Sequence, residues 1–178
     1  MELTEKTVET KEIFNGAIVR LLVDRAELPN GRITRREVVE HPGGVAILPL
    51  DGDDCVTLVR QYRYPFHRVI TELPAGKLDP GEDHRVCALR ELKEEVGMTP
   101  DELIYLGCLY ASPGFCTEVL HMYLAKGLHE GACCPDEDEF LERVRMPFDA
   151  LVEEIMKNEI SDAKTVAAVL KAKAYLGR

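Results

Sequence analysis

A chain of 178 residues, 46% of them hydrophobic, fits one domain of ordinary size with enough apolar surface to bury a core. With 32 acidic residues against 22 basic ones the formal net charge is −10, which argues against a nucleic-acid surface built from clustered lysine and arginine. No apolar run approaches the ~20 residues that span a bilayer, and the polar start Met1-Glu2-Leu3-Thr4-Glu5-Lys6 has no signal-peptide pattern, so a soluble cytoplasmic protein is expected.

The chain shows no internal repeat. Residues Phe14–Val23 and Arg32–Val39 read as a hairpin around Leu28-Pro29-Asn30-Gly31, with Asn-Gly supplying the turn. Val45–Leu50 and Val56–Tyr62 are apolar strands separated by Asp51-Gly52-Asp53-Asp54. Asp79-Pro80-Gly81 turns the chain into a helix over Asp83–Val96. Strands are predicted at Leu103–Leu109, Val119–Ala125 and Phe140–Arg145, and helices at Phe148–Asn158 and Asp162–Leu176. Strand runs followed by separate helices suggest an α+β fold. The six cysteines contain no C-x-x-C pair and read as reduced thiols; adjacent Cys133-Cys134 has no neighbouring ligands to make it a zinc site.

The segment Gly76–Met98, GKLDPGEDHRVCALRELKEEVGM, is the most informative part of the chain. At about 100° per residue, Val86, Leu89, Leu92 and Val96 fall within an arc of roughly 120° and are expected to face the core. Glu91, Glu94 and Glu95 are expected on the side away from it. A solvated acidic face is the ordinary reading of such a pattern. Against it, like charges at i,i+3 and i,i+4 each destabilise a helix by roughly 0.2–0.5 kcal/mol. The helix dipole also disfavours acids in the last turn before the capping Gly97. A divalent cation would reverse both penalties, because hard cations take carboxylate oxygens.

The spacing matches G-x5-E-x7-R-E-U-x-E-E-x-G-U, where U is apolar, through Gly76, Glu82, Arg90, Glu91, Leu92, Glu94, Glu95, Gly97 and Met98. The chain therefore resembles the Nudix hydrolases, which cleave nucleoside diphosphates linked to another moiety. The resemblance implies an α/β/α sandwich with a mixed sheet and a requirement for divalent metal. Glu72-Leu73-Pro74-Ala75, Ser112-Pro113-Gly114, Arg60-Gln61-Tyr62-Arg63 and Asp162-Ala163-Lys164-Thr165 are similar to segments of the ADP-ribose pyrophosphatase subgroup. In that subgroup a separate N-terminal sheet, here residues 1–40 before a hydrolase domain over 41–178, exchanges across a homodimer and lines the partner's site.

Pyrophosphate hydrolysis needs a nucleophilic water, stabilisation of charge on the phosphoryl oxygens, and a base for the water's proton; Mg²⁺, or Mn²⁺ in its place, serves the first two needs. The candidate ligands are Glu91, Glu95 and Glu94, and the resemblance adds the backbone carbonyl of Ala75. Glu82 and Arg90 are expected to brace the loop against the helix. The resemblance implies a glutamate as general base and offers Glu118 first, on the loop after Ser112-Pro113-Gly114, with Glu139, in the run Asp136-Glu137-Asp138-Glu139, as the alternative. Arg63 suits diphosphate oxygens, while Arg60 reads as a surface partner for acids. Glu72 is a candidate acceptor for ribose or adenine donors, and Arg35 or Arg36 is a candidate donor to a neighbouring subunit's phosphates. Phe14 is a candidate to stack on adenine, and the chain departs here from relatives that use tryptophan for that stack, since it has none.

The reaction expected is Mg²⁺-dependent hydrolysis of ADP-ribose to AMP and ribose 5-phosphate. A different nucleoside diphosphate sugar, such as GDP-mannose, is the alternative within the same chemistry. A Nudix-like sensor without catalysis is the alternative from another class; against it, all four box glutamates are present.

Overall fold

The computed structural model describes residues 2–133 and 140–178. The chain divides into two units, Met1–Gly43 with Tyr110–Val119, and Gly44–Leu109 with Leu120–Arg178.

The first unit is a three-stranded antiparallel sheet in the order β1-β2-β3, from Lys6–Asn15, Arg20–Glu27 and Ile33–Glu40. The Asn30-Gly31 turn forms between β2 and β3, with Gly31 at φ 77°. The strand expected over Phe14–Val23 does not run through. Gly16 donates to the Val19 carbonyl at 3.0 Å, reversing the chain between β1 and β2. The apolar residues on either side of Asn15-Gly16 hide this turn from a periodicity reading. The polar stretch before it pairs as an edge strand, exposed along its whole length. Strand alternation puts Leu22 and Ala26, both buried, on one face of β2, and Leu21 and Val23 on the other. The Tyr110–Val119 segment docks on β3, with Val39 donating to the Phe115 carbonyl at 2.7 Å and Thr117 donating back to Val39 at 2.9 Å.

The second unit carries β4 (Gly44–Pro49), β5 (Cys55–Arg63), β6 (Arg68–Glu72), β7 (Ala75–Lys77), β8 (Met98–Tyr110), β9 (Val119–Glu130) and β10 (Leu141–Pro147). They form a four-stranded sheet, β7-β4-β9-β8, and a three-stranded sheet, β10-β5-β6. The first is mixed: β4 pairs parallel with β9 and antiparallel with β7. Strands β6 and β7 were not legible in the sequence, being too short for a periodic signal and fixed instead by pairing with β5 and β4.

Among the described residues three α-helices cover the sheets: α1 (His84–Val96), α2 (Phe148–Met156) and α3 (Ala163–Tyr175). Every residue of β4 is buried, as expected of a strand covered on both faces. Val45 and Ile47 pack with Tyr123, Ala88, Leu92 and Val96 of α1. Leu48 packs with Met122, Leu124, Phe148, Leu151 and Val169 on the α2 and α3 side. One strand thus divides its alternate residues between two cores, which is the α/β/α layering. Among the described residues no helix is long and apolar enough to cross a membrane.

Candidate active site

Helix α1 begins and ends as its sequence requires. Asp83 caps it, accepting from the Arg85 and Val86 amides at 2.9 and 3.3 Å, and Gly97 closes it at φ 67°. Its buried face differs from the one expected. Val86 and Leu89 are exposed, whereas Cys87, Ala88, Glu91, Leu92, Glu95 and Val96 are buried. Glu91 and Glu95 therefore do not face away from the interior; they sit 8% and 3% exposed. The reason lies in what opposes them, a backbone loop and an arginine rather than apolar side chains.

That loop is Pro74-Ala75-Gly76. The Pro74 carbonyl accepts from the Ile47 amide at 2.9 Å, tying the loop to β4. The Ala75 amide donates to Glu95 Oε2 at 2.9 Å. A Cβ built on Gly76 would lie 1.9 Å from the Glu91 carboxylate carbon, so only glycine admits that carboxylate. Arg90 joins the remaining acids. Its Nε and Nη2 each donate to Glu82 at 3.0 Å, and its Nη1 donates to Glu91 at 2.7 Å and to Glu94 at 3.0 Å. The bidentate Arg90 guanidinium holds the Glu82 carboxyl down at about 2, helped by the Asp79 amide, and Glu82 in turn raises the pKa of Arg90. Cys87, beneath this network, is pushed up to about 12 by burial and then by Glu82, so it stays a thiol.

A second polar cluster lies where β5, β6 and α3 meet. Arg63 Nε donates to Glu72 Oε1 at 2.7 Å, and Lys164 Nζ donates to the other Glu72 oxygen. Lys164 also pairs with Asp162 at 3.1 Å. Asp162 caps α3, accepting from the Thr165 amide at 3.0 Å and hydroxyl at 2.6 Å. The Thr165 hydroxyl oxygen accepts from the Leu73 amide at 2.9 Å, directly before the Pro74-Ala75-Gly76 loop. Glu72 is 1% exposed and both its oxygens meet cations. The sequence offers Asp162 as the N-cap of this helix, which it is, whereas Lys164 and Thr165 carried no individual role there. The available signal was Asp162 standing three residues before Thr165 at a helix start.

In the first unit, Glu118 is partly buried and lies 3.7 Å from His41 Nδ1. That nitrogen accepts from the Gly43 amide at 3.1 Å, so it carries no proton in this arrangement. Arg35 pairs with Glu37 at 2.8 Å and Arg36 with Glu5 at 2.7 Å. As neighbours on β3 they point to opposite faces of the sheet. Phe14 is exposed. Arg60 pairs with Glu142 at 2.7 Å on the surface, as expected of it. Glu139, the second candidate base, lies outside the described residues.

The NUDIX domain family matches residues 40–169. The chain belongs to this family. Its box glutamates and arginine are those of a Nudix hydrolase, an enzyme class that depends on divalent metal. The chain is 46% identical over 167 residues to a "Methanol dehydrogenase activator" of Bacillus methanolicus, covering 93% of this chain and 90% of that protein. It is 41% identical over 169 residues to an "ADP-ribose pyrophosphatase" of Bacillus subtilis (strain 168), covering 94% and 91%. A crystal structure of an "ADP compounds hydrolase" superposes with TM-score 0.88 at 24% identity, covering 99% of this chain and 97% of that one, which shows a shared fold.

Among the described residues, no three histidine, cysteine, aspartate or glutamate side chains converge into a preformed metal cage. The donor chemistry still fits a hard divalent cation. Glu91, Glu94 and Glu95 offer only carboxylate oxygen, Glu91 and Glu95 are more than nine-tenths buried, and Gly76 lets the Glu91 carboxylate approach the loop backbone where any Cβ would clash with it.

Proposed function

We propose that this Nudix hydrolase cleaves the diphosphate of ADP-ribose with Mg²⁺, giving AMP and ribose 5-phosphate. The observation that carries the reading is the pair of buried carboxylates, Glu91 and Glu95, held against the Ala75-Gly76 backbone. Desolvating two like charges side by side costs several kcal/mol per ion unless cations and amides answer them. Glu91, Glu94, Glu95 and the Ala75 carbonyl are the groups that would hold Mg²⁺. When bound, the ion supplies charge for the phosphoryl oxygens and lowers the pKa of coordinated water.

The remaining work falls to the chain's own groups. Arg63 offers its guanidinium to the diphosphate; burial acts to lower its pKa, but the bond to Glu72 and the charges of Glu72, Asp162 and Glu95 together raise it. Glu82 and Arg90 fix the helix to the loop. Glu118 takes the proton of the attacking water as that water bonds to phosphorus and the bridging P–O bond breaks; Glu139 is the competing base. Glu72 orients Arg63 from beneath.

A homodimer through the N-terminal sheet accounts for the apolar residues left in water there, Val8, Ile13, Phe14 and Ile33. Because Arg35 and Arg36 face opposite sides, one of them at most serves a partner's site. A reduced cytoplasmic setting suits the five free thiols among the described residues.

Incubation of a panel of nucleoside diphosphate sugars with Mg²⁺, followed by product identification, tests this reading. AMP and ribose 5-phosphate from ADP-ribose are expected, at higher kcat/KM than GDP-mannose cleavage. The reverse order would move the assignment to GDP-mannose. The relative named as a dehydrogenase activator adds one arm, the rate of a methanol dehydrogenase with and without this protein. Acceleration that persists without diphosphate cleavage would replace the hydrolase reading.

A further inference from the structure

We propose that Lys164 is a positioning residue for diphosphate binding, acting through Glu72 on Arg63. This inference rests on the hydrolase reading above and adds to it a residue of α3. Four charged side chains meet here, Arg63, Lys164, Glu72 and Asp162, two of each sign. Three are well covered, with side chains 2%, 11% and 20% exposed for Glu72, Lys164 and Asp162. Arg63 is the exception at 38%. Only its Nε is used on Glu72, and its η nitrogens make no hydrogen bond among the described residues.

Lys164 explains why. A buried carboxylate has two oxygens and demands charge for both. Lys164 takes Oε2, leaving Glu72 to hold Arg63 by Oε1 alone. Without Lys164, the arginine becomes the single cation for that carboxylate. A guanidinium readily turns to a bidentate fork, committing an η nitrogen inward. The outward-facing donors for a diphosphate are then reduced, although Arg63 itself is untouched. Lys164 is kept in place by Asp162, which also fixes Thr165 and through it the Leu73 amide. The start of α3 thus braces the phosphate-facing arginine and the strand leading to the metal loop together.

The test is a double-mutant cycle on Arg63 and Lys164, read as KM and kcat for ADP-ribose with Mg²⁺ and as the Kd of ADP-ribose by calorimetry in EDTA. Lys164→Met is expected to raise KM and Kd by about tenfold, the scale of one charge-assisted hydrogen bond, with kcat within about threefold. Lys164→Arg is expected to restore most of the loss. In an Arg63→Ala background the same Lys164→Met change is expected to alter Kd less than twofold, because its target is gone. An equal loss in both backgrounds overturns the inference and makes Lys164 a direct ligand or a general support. A fall in kcat alone does the same. If Lys164→Met does not fold, Lys164→Gln enters the same cycle with the same criteria. Wild-type protein that neither binds nor cleaves ADP-ribose defeats the hydrolase reading and this inference together, whereas an active wild type with additive losses defeats only the inference.

Discussion

Helices α1 and α2 are nearly neighbours in chemistry and opposites in construction. Helix α2 buries Phe148, Leu151, Val152 and Ile155 and leaves Glu153 and Glu154 to pair with Lys157 in water. Its apolar residues alone decide which way it faces. Helix α1 buries Leu92 and Val96 but also Glu91 and Glu95, while Val86 stays 57% exposed. Burying an isolated carboxylate costs far more than exposing a valine. The orientation of α1 is therefore set by the loop amide, the glycine gap and Arg90, which together answer the carboxylates. A stable fold alone does not require that arrangement, which is why we propose the metal ligands on this helix.

Substitutions separate the two kinds of helix. The largest expected effect is on turnover. Glu95→Gln keeps an oxygen for the Ala75 amide but removes a charge, so kcat should fall by about 10²–10³-fold, the scale of losing one electrostatic stabiliser, with an unchanged circular dichroism spectrum. Turnover within threefold of wild type would remove Glu95 from the site. Leu151→Ala in α2 should act oppositely, costing about 2–5 kcal/mol in urea unfolding while the folded fraction keeps its kcat.

Glu82 gives a pH-dependent contrast. Its carboxyl titrates at about 2 in the folded chain against an ordinary value of 4.5. A depressed folded pKa means its contribution is whole above the unfolded value and is lost as pH falls through the folded one. The stability gap between wild type and Glu82→Gln should thus be full at neutral pH and shrink between pH 4.5 and about 2; urea midpoints across that range measure it, and a gap independent of pH would contradict the Arg90 pairing. The smallest effect belongs to Val86→Ala, expected within about 0.5 kcal/mol because the side chain is already exposed. A loss on the Leu151 scale would show that the periodicity had named the buried face of α1 correctly.

The sequence exposed much of this fold and a different share of the site. Strands β4 and β5 and helices α2 and α3 were legible because apolar runs or stripes there coincide with real burial. The box helix was placed to within a residue by Asp83 and Gly97, whose capping chemistry is local. Its face was misjudged because periodicity counts only apolar partners, and the partners of Glu91 and Glu95 are a guanidinium and a loop. The short strands β6 and β7 and the Lys164–Glu72 pair were hidden for a related reason. They depend on residues far apart in the chain, with Lys164 and Glu72 separated by 92 positions. The Asn15-Gly16 turn was written in the sequence but outweighed by apolar neighbours.

The most direct test follows AMP release from ADP-ribose as Mg²⁺ is titrated, in wild-type protein and in Glu95→Gln. If the buried glutamates of α1 are built to hold a cation against the diphosphate, the wild-type rate will rise from near zero to saturation. The variant will stay near zero across the same range. A wild-type rate indifferent to Mg²⁺, or a variant whose titration overlays the wild type, would contradict that account.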